Sequence, residues 1–236
     1  MKRITARLLL MMVLLAGAGR VFADAEIGRV YHPYVEPMER EIEWRSNFID
    51  DPDSEDYSDQ KHWLGAGMSI GERWFVEANV IAAKDNGESL ELEGFELEAK
   101  RQLTEQGEYW ADWGILFEVE RETSENIWEL AVSGLVEKEI GPTSLAANLS
   151  AIYEFGGGID NEFETAAALQ WRWRYAEQFE PAIEYHAGDN LAAAGPVALG
   201  MVRVGRQKLK WQLGALFGVD SETPDTTYRV LIEYEF

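Results

Sequence analysis

Three histidines, His32, His62 and His186, are the only imidazoles this 236-residue chain has, and it holds no cysteine to act as nucleophile or thiolate ligand. A general base must sit within hydrogen-bond reach of a nucleophile's proton. His186 has Glu184 two residues before it and Asp189 three after, but no nucleophile motif accompanies it, and His32 and His62 stand alone. No HxH or HExxH spacing offers a transition-metal site. We therefore expect no enzyme and no cofactor. Hard cations take clustered carboxylates, and Asp50, Asp51, Asp53, Glu55, Asp56 and Asp59 crowd one segment. It lacks a fixed glycine turn, so Asp51, Asp53 and Asp56 are at most a weak divalent-cation candidate beside the plainer reading of a solvated loop. Gly156-Gly157-Gly158 precedes no helix and reads as loop rather than phosphate cradle.

The largest set of chemically capable residues is a series of charges spaced two apart. Glu39, Glu41, Glu43 and Arg45 begin it; Glu77, Asp112, Glu118, Glu129, Glu137, Arg172, Arg174, Glu180, Glu184, Arg203, Lys208, Lys210, Arg229, Glu233 and Glu235 continue it. Acids outnumber bases 43 to 21, a formal charge of −22. Nucleic-acid binding draws on surplus Lys and Arg, so that partner class is excluded.

Two-residue spacing is the period of a strand with unlike faces. The apolar partners follow it: Tyr109, Ala111, Trp113, Ile115, Phe117, Val119; Trp128, Leu130, Val132, Gly134, Val136; Leu145, Ala147, Leu149, Ala151, Tyr153, Phe155; Phe163 to Tyr175; Phe179, Ile183, Tyr185; Leu209 to Val219; Tyr228 to Phe236. Residues 88 to 101 switch parity at Gly94, as a bulge would produce, and 195 to 205 is mixed. The pattern predicts about twelve strands, with ten as the lower count.

Ahead of them, Lys2, Arg3 and Arg7 precede an apolar run from Leu8 to Gly19, and Val21-Phe22-Ala23 fits a peptidase site. Residues 1–23 read as a cleaved signal peptide, 24–37 as a periplasmic lead and 38–236 as one all-β, antiparallel transmembrane barrel. Cleavage removes four bases and no acids and takes the formal charge from −22 to −26.

Short links, expected at Gly71 to Arg73, Leu103 to Gly107, Gly141 to Thr143, Ala176 to Gln178 and Gly205 to Gln207, alternate with longer or more acidic ones. The latter fall at Asp50 to Lys61, Lys84 to Glu88, Arg121 to Asn126, Gly156 to Glu162, Gly188 to Gly195 and Asp220 to Thr226. An outer-membrane barrel alternates periplasmic turns with outer loops in this way, which places both termini in the periplasm. Aromatics collect at both strand ends: Trp74, Trp173, Tyr175, Phe179, Trp211 and Phe236 at one, Phe48, Trp128, Tyr153, Phe155, Phe163, Tyr185, Phe217 and Tyr228 at the other. A sandwich, which hides its apolar faces between two sheets, needs no such belts.

The final strand, Tyr228 to Phe236, ends on an aromatic. It resembles the C-terminal signature of Gram-negative outer-membrane β-barrels, which implies that Phe236 is an assembly signal read by the barrel-assembly machinery. Tyr34-Val35-Glu36-Pro37-Met38-Glu39-Arg40-Glu41-Ile42-Glu43-Trp44-Arg45 and Leu103-Thr104-Glu105-Gln106-Gly107-Glu108-Tyr109-Trp110-Ala111-Asp112 are similar to stretches of proteobacterial outer-membrane proteins akin to the transporter group of the MetA phenol-degradation pathway. That likeness, over residues 30–236, implies a barrel and a transport role but no site residues.

Two functions stay open. The inward charges Glu43, Arg45, Glu77, Asp112, Glu118, Arg172, Arg174, Glu184, Arg203, Lys208, Lys210 and Glu233 line either a narrow, cation-preferring path for small polar solutes or a salt-bridged, plugged, structural lumen. Lys208 and Lys210 begin one strand where Glu233 and Glu235 end the next, and Arg172 and Arg174 end a strand beside Glu180. Expected partners are outer-membrane lipid and the assembly machinery; the sequence leaves oligomeric state and cargo open. In cell fractionation the protein should partition with the outer membrane and shift in gel mobility on boiling. Deleting Phe236 should lower the heat-modifiable fraction while export continues.

Overall fold

The computed structural model describes residues 27–50, 60–84, 89–123 and 126–236. Twelve strands follow in order: β1 (Arg40–Asp50), β2 (Gln60–Ile70), β3 (Trp74–Lys84), β4 (Glu91–Gln102), β5 (Asp112–Glu122) and β6 (Ile127–Ile140). The chain continues through β7 (Thr143–Gly156), β8 (Glu162–Trp173), β9 (Glu180–Gly188), β10 (Leu191–Val204), β11 (Gln207–Gly218) and β12 (Thr226–Glu235). Each pairs antiparallel with its sequence neighbours, and β1 with β12 closes the barrel. The seam runs from Glu41 opposite Glu235 to Asp50 opposite Thr226. At its end the Phe236 N–H donates to the Arg40 carbonyl at 2.9 Å. A closed ladder leaves no edge, which is what lets strands sit in hydrocarbon.

Outward positions are apolar and uncovered: Leu149 is 58% exposed, Trp171 57% and Leu213 52%. Inward neighbours are covered although polar, with Glu137 and Glu184 both at 0%. The expected bulge is present, because the β3–β4 register passes from Ile81 opposite Gly94 to Ala82 opposite Leu92 and leaves Glu93 over. Parity beyond it sends Glu96, Glu98 and Gln102 inward.

Two connections depart from expectation. The link expected at Leu103 to Gly107 extends over 103–111, because the alternation at Tyr109 and Ala111 belongs to a turn whose Gly107 N–H is held by Asp112 at 2.7 Å. The link expected from Gly188 to Gly195 is only Asp189 and Asn190, and β10 resumes at Leu191. Its run Ala192-Ala193-Ala194 is too small and uniform to mark a face. The inward face of β10, Leu191, Ala193, Val197 and Leu199, is apolar and packs with Ile27, Ala182 and Leu216. Asp51, Asp53 and Asp56 lie outside the described residues.

Among the described glycines, Gly195 has the least room for a side chain: a Cβ there would stand 1.9 Å from the Ala215 carbonyl oxygen. At Gly134 the nearest atom to such a Cβ is 3.9 Å away. Gly195→Ala should therefore force β10 off β11 and lower unfolding free energy by about 1–3 kcal/mol, read by urea titration of the folded barrel. Gly134→Ala should leave the midpoint where it is.

Candidate functional site

The barrel interior is not lined by strands alone. Residues 27–37, read from sequence as a lead on the periplasmic side of the barrel, lie within it. The lead runs from the loop end, where Asn47 donates to the Ile27 carbonyl at 2.9 Å and Arg229 to that of Gly28 at 2.6 Å. It descends to the turn end, where Glu36 pairs with Lys208 and accepts from Ser69 through its carbonyl. Between these anchors the wall answers the lead group by group. Asn148 accepts from the Tyr31 N–H at 2.7 Å and donates to its carbonyl at 2.9 Å. Gln102 accepts from the Val35 N–H at 2.9 Å. The Tyr34 hydroxyl donates to Asp112 at 2.9 Å, and His32 Nδ1 lies 2.7 Å from Glu137. An extended segment has no ladder of its own, so side-chain amides supply the partners its buried backbone requires.

Arg29 is the centre of this arrangement. One terminal nitrogen pairs with Glu43, and the other lies 3.1 Å from Glu77 and 3.2 Å from Glu98. Its guanidinium carbon stands 4.4 Å from the Tyr31 ring centroid, and the Tyr31 hydroxyl donates to Glu98 at 2.8 Å. One cation thus serves three carboxylates brought together from β1, β3 and β4.

The lead divides the remaining lumen. Towards the loop end a cavity of about 250 Å³ is lined by acids including Glu96, Glu118, Glu120, Glu129 and Glu164, with Arg45 and Lys61. Towards the turn end one of about 380 Å³ is lined by Glu39, Glu41, Glu180, Glu233, Lys100 and Lys210, among others. Arg29 and Tyr31 line both, so they form the partition.

Of the sequence candidates, Glu43, Arg45, Glu77, Asp112, Glu184 and Glu233 are buried, and Glu118, Arg172, Arg174, Lys208 and Lys210 are partly so. Arg203, opposite Lys208 and on the same face of the sheet, sits at the turn-end rim, its side chain 64% exposed, facing Glu177 at 3.3 Å. The expected ladder pairs form, Lys208 to Glu235 at 2.9 Å and Arg172 to Glu180 at 3.4 Å, and Arg172 also reaches Glu137 at 3.2 Å. Arg174, just past β8, meets Glu139 at 2.7 Å. Period-2 reasoning puts Asn148 on the polar face without a role for it, and misses Glu96, Glu98 and Gln102. These last three were legible from the parity beyond Gly94.

His186 belongs to a buried network. Glu184 accepts from Gln170 at 2.8 Å, lies 3.0 Å from His186 and pairs with Arg229, whose side chain is 0% exposed. On the outward face, Ser46 Oγ stands 2.7 Å from His62 Nδ1, and His62 Nε2 is 3.4 Å from Gln60. That order resembles nucleophile, base and orienting group. Ser46 is 0% exposed, however, with the Trp44 and Phe48 rings packed around His62, so a substrate carbonyl has no approach to the hydroxyl.

No protein-family model matches the chain, and no curated protein matches it in sequence. Solved structures do match in shape. The COG4313 outer membrane channel from Pseudomonas putida F1 aligns over 90% of this chain and 99% of its own, with TM-score 0.57 and 14% identity. The KdgM porin in complex with disordered oligogalacturonate aligns over 83% and 99%, with TM-score 0.56 and 13% identity. The fold is that of outer-membrane channels. At these identities the likeness extends to the fold alone.

The interior network differs sharply from the rim in what its loss should cost. Arg229→Met leaves Glu184 buried without its guanidinium and should destabilise the barrel by about 3–5 kcal/mol. Arg203→Ala at the rim should change stability by no more than about 1 kcal/mol. Urea unfolding of the two variants against the parent checks both.

Proposed function

We propose that the protein is a Gram-negative outer-membrane channel, narrowed by its own N-terminal segment, that prefers small cationic or polar solutes. The observation that carries this reading is the division of an acid-rich lumen by residues 27–37. Two cavities survive on either side of Arg29 and Tyr31, each with more carboxylates than bases on its wall. Charged rings bias a pore towards counter-ions through their unscreened field. The similarity of Tyr34–Arg45 and Leu103–Asp112 to a transporter group supports the same reading, and these two stretches meet where Tyr34 bonds Asp112. Oligogalacturonate, held by one structural neighbour, is a polyanion, and this lumen is poorly suited to such cargo. Outer-membrane lipid would contact the apolar belt, and the assembly machinery would read β12 and Phe236. Both termini of the barrel sheet would face the periplasm.

A second reading has its own support: the lead is bonded along its length, as a permanent plug in a structural barrel would be. Planar bilayers separate the two. The parent should pass a small, cation-preferring current whose preference declines as salt shortens the Debye length from about 10 Å at 0.1 M to 3 Å at 1 M. Deleting residues 27–36 should raise conductance severalfold, and joint Glu118→Gln and Glu129→Gln should reduce the cation preference. Silence from both the parent and the deletion variant would leave the structural barrel standing.

A further inference from the structure

We infer that Glu43, Glu77 and Glu98 form a guanidinium-binding site, which Arg29 occupies in cis and for which small guanidinium solutes compete. Three carboxylates from three strands converge on one planar cation, with side-chain exposures of 2%, 0% and 4%. A guanidinium matches this geometry because its donors spread in a plane to separate acceptors, whereas an ammonium is a point charge. The Tyr31 ring adds an aromatic surface beside the cation.

The cage is more than a group of acids. Its wall makes room for it: a Cβ on Gly65 would come within 2.2 Å of Glu77 Oε1, so the bare β2 backbone lets that carboxylate lie across it. The fit of the tethered occupant is also incomplete. Glu77 Oε1 is buried with no hydrogen-bond partner among the described residues, and so is Arg29 Nε. The lead fixes where Arg29 enters, leaving a spare acceptor and a spare donor unmatched. A free guanidinium carries the same donors without the tether and can turn to reach that oxygen.

The transport half of this inference, that guanidinium solutes displace Arg29 during passage, rests on the channel reading above; the binding site does not. The test therefore reads folding rather than current. Purified Arg29→Ala is titrated with methylguanidinium chloride at millimolar concentration, with sodium chloride at equal ionic strength and urea at equal concentration as controls. The readout is the temperature at which half the protein loses its heat-modifiable gel mobility.

Arg29→Ala should melt below the parent, and methylguanidinium alone should restore the midpoint saturably, with little effect on the parent. Adding Glu77→Gln to Arg29→Ala should weaken the apparent affinity by about tenfold or more, the loss of one charge-assisted hydrogen bond. If Arg29→Ala does not fold, recovery of its folded form during refolding in methylguanidinium replaces the melting readout. No recovery there, a response matched by sodium chloride or urea, or an equal response in the parent would each overturn the site. Restored melting together with an unchanged current through the parent in methylguanidinium would keep the site and remove the transport half.

Discussion

A sheet whose outer face is apolar and uncovered must leave no backbone N–H or C=O unbonded along an edge, and the remaining features of this protein follow from that. Closure of β1 on β12 satisfies the backbone. It also divides each strand into an outward and an inward face, and most charges on the strands lie on the second. Twelve such faces enclose a space small enough for opposite walls to interact through one intervening segment. Charges that a wide aqueous pore would hydrate must here be paired, and the barrel finds some partners on adjacent strands and others on a piece of chain that belongs to no strand.

Those two kinds of pairing mark what could be read from the residues beforehand. Lys208 and Lys210 face Glu235 and Glu233 because β11 and β12 are sequence neighbours in antiparallel register, and period-2 reasoning reaches such pairs directly. The same period gave the twelve strands, the bulge at Gly94 and the inward direction of Glu43, Glu77 and Glu184. It had no purchase on the lead. Ile27, Val30, Pro33 and Val35 are buried there, at intervals of three, three and two that match neither strand nor helix. The convergence of β1, β3 and β4 on Arg29 depends on the curvature of the closed sheet, which no local pattern encodes. The miscounted links have a simpler cause: Tyr109 and Ala111 imitate strand alternation inside a turn, while the alanines of β10 conceal a strand that is present.

The lead reconciles readings that looked opposed. A plugged lumen and a conducting one differ only in how firmly residues 27–37 are held, because cavities remain on both sides of them. The lead is anchored at its loop end by Asn47 and Arg229, on the carbonyls of Ile27 and Gly28, and at its turn end by Lys208 and Ser69 on Glu36. Its middle is held by the guanidinium and by Asn148. The wall offers partners to the backbone through Asn148 and Gln102, so a change in the middle need not release the ends.

Arg29 is joined by a short stretch of chain to the first residue of β1. A tethered ligand presents itself at an effective concentration on the order of millimolar, and anchors on both sides raise that value. A free competitor must approach this local concentration before it occupies the carboxylates for an appreciable fraction of the time. The barrel would then ignore trace solutes and respond where the medium is rich in them, with a threshold set by the length and seating of its own chain.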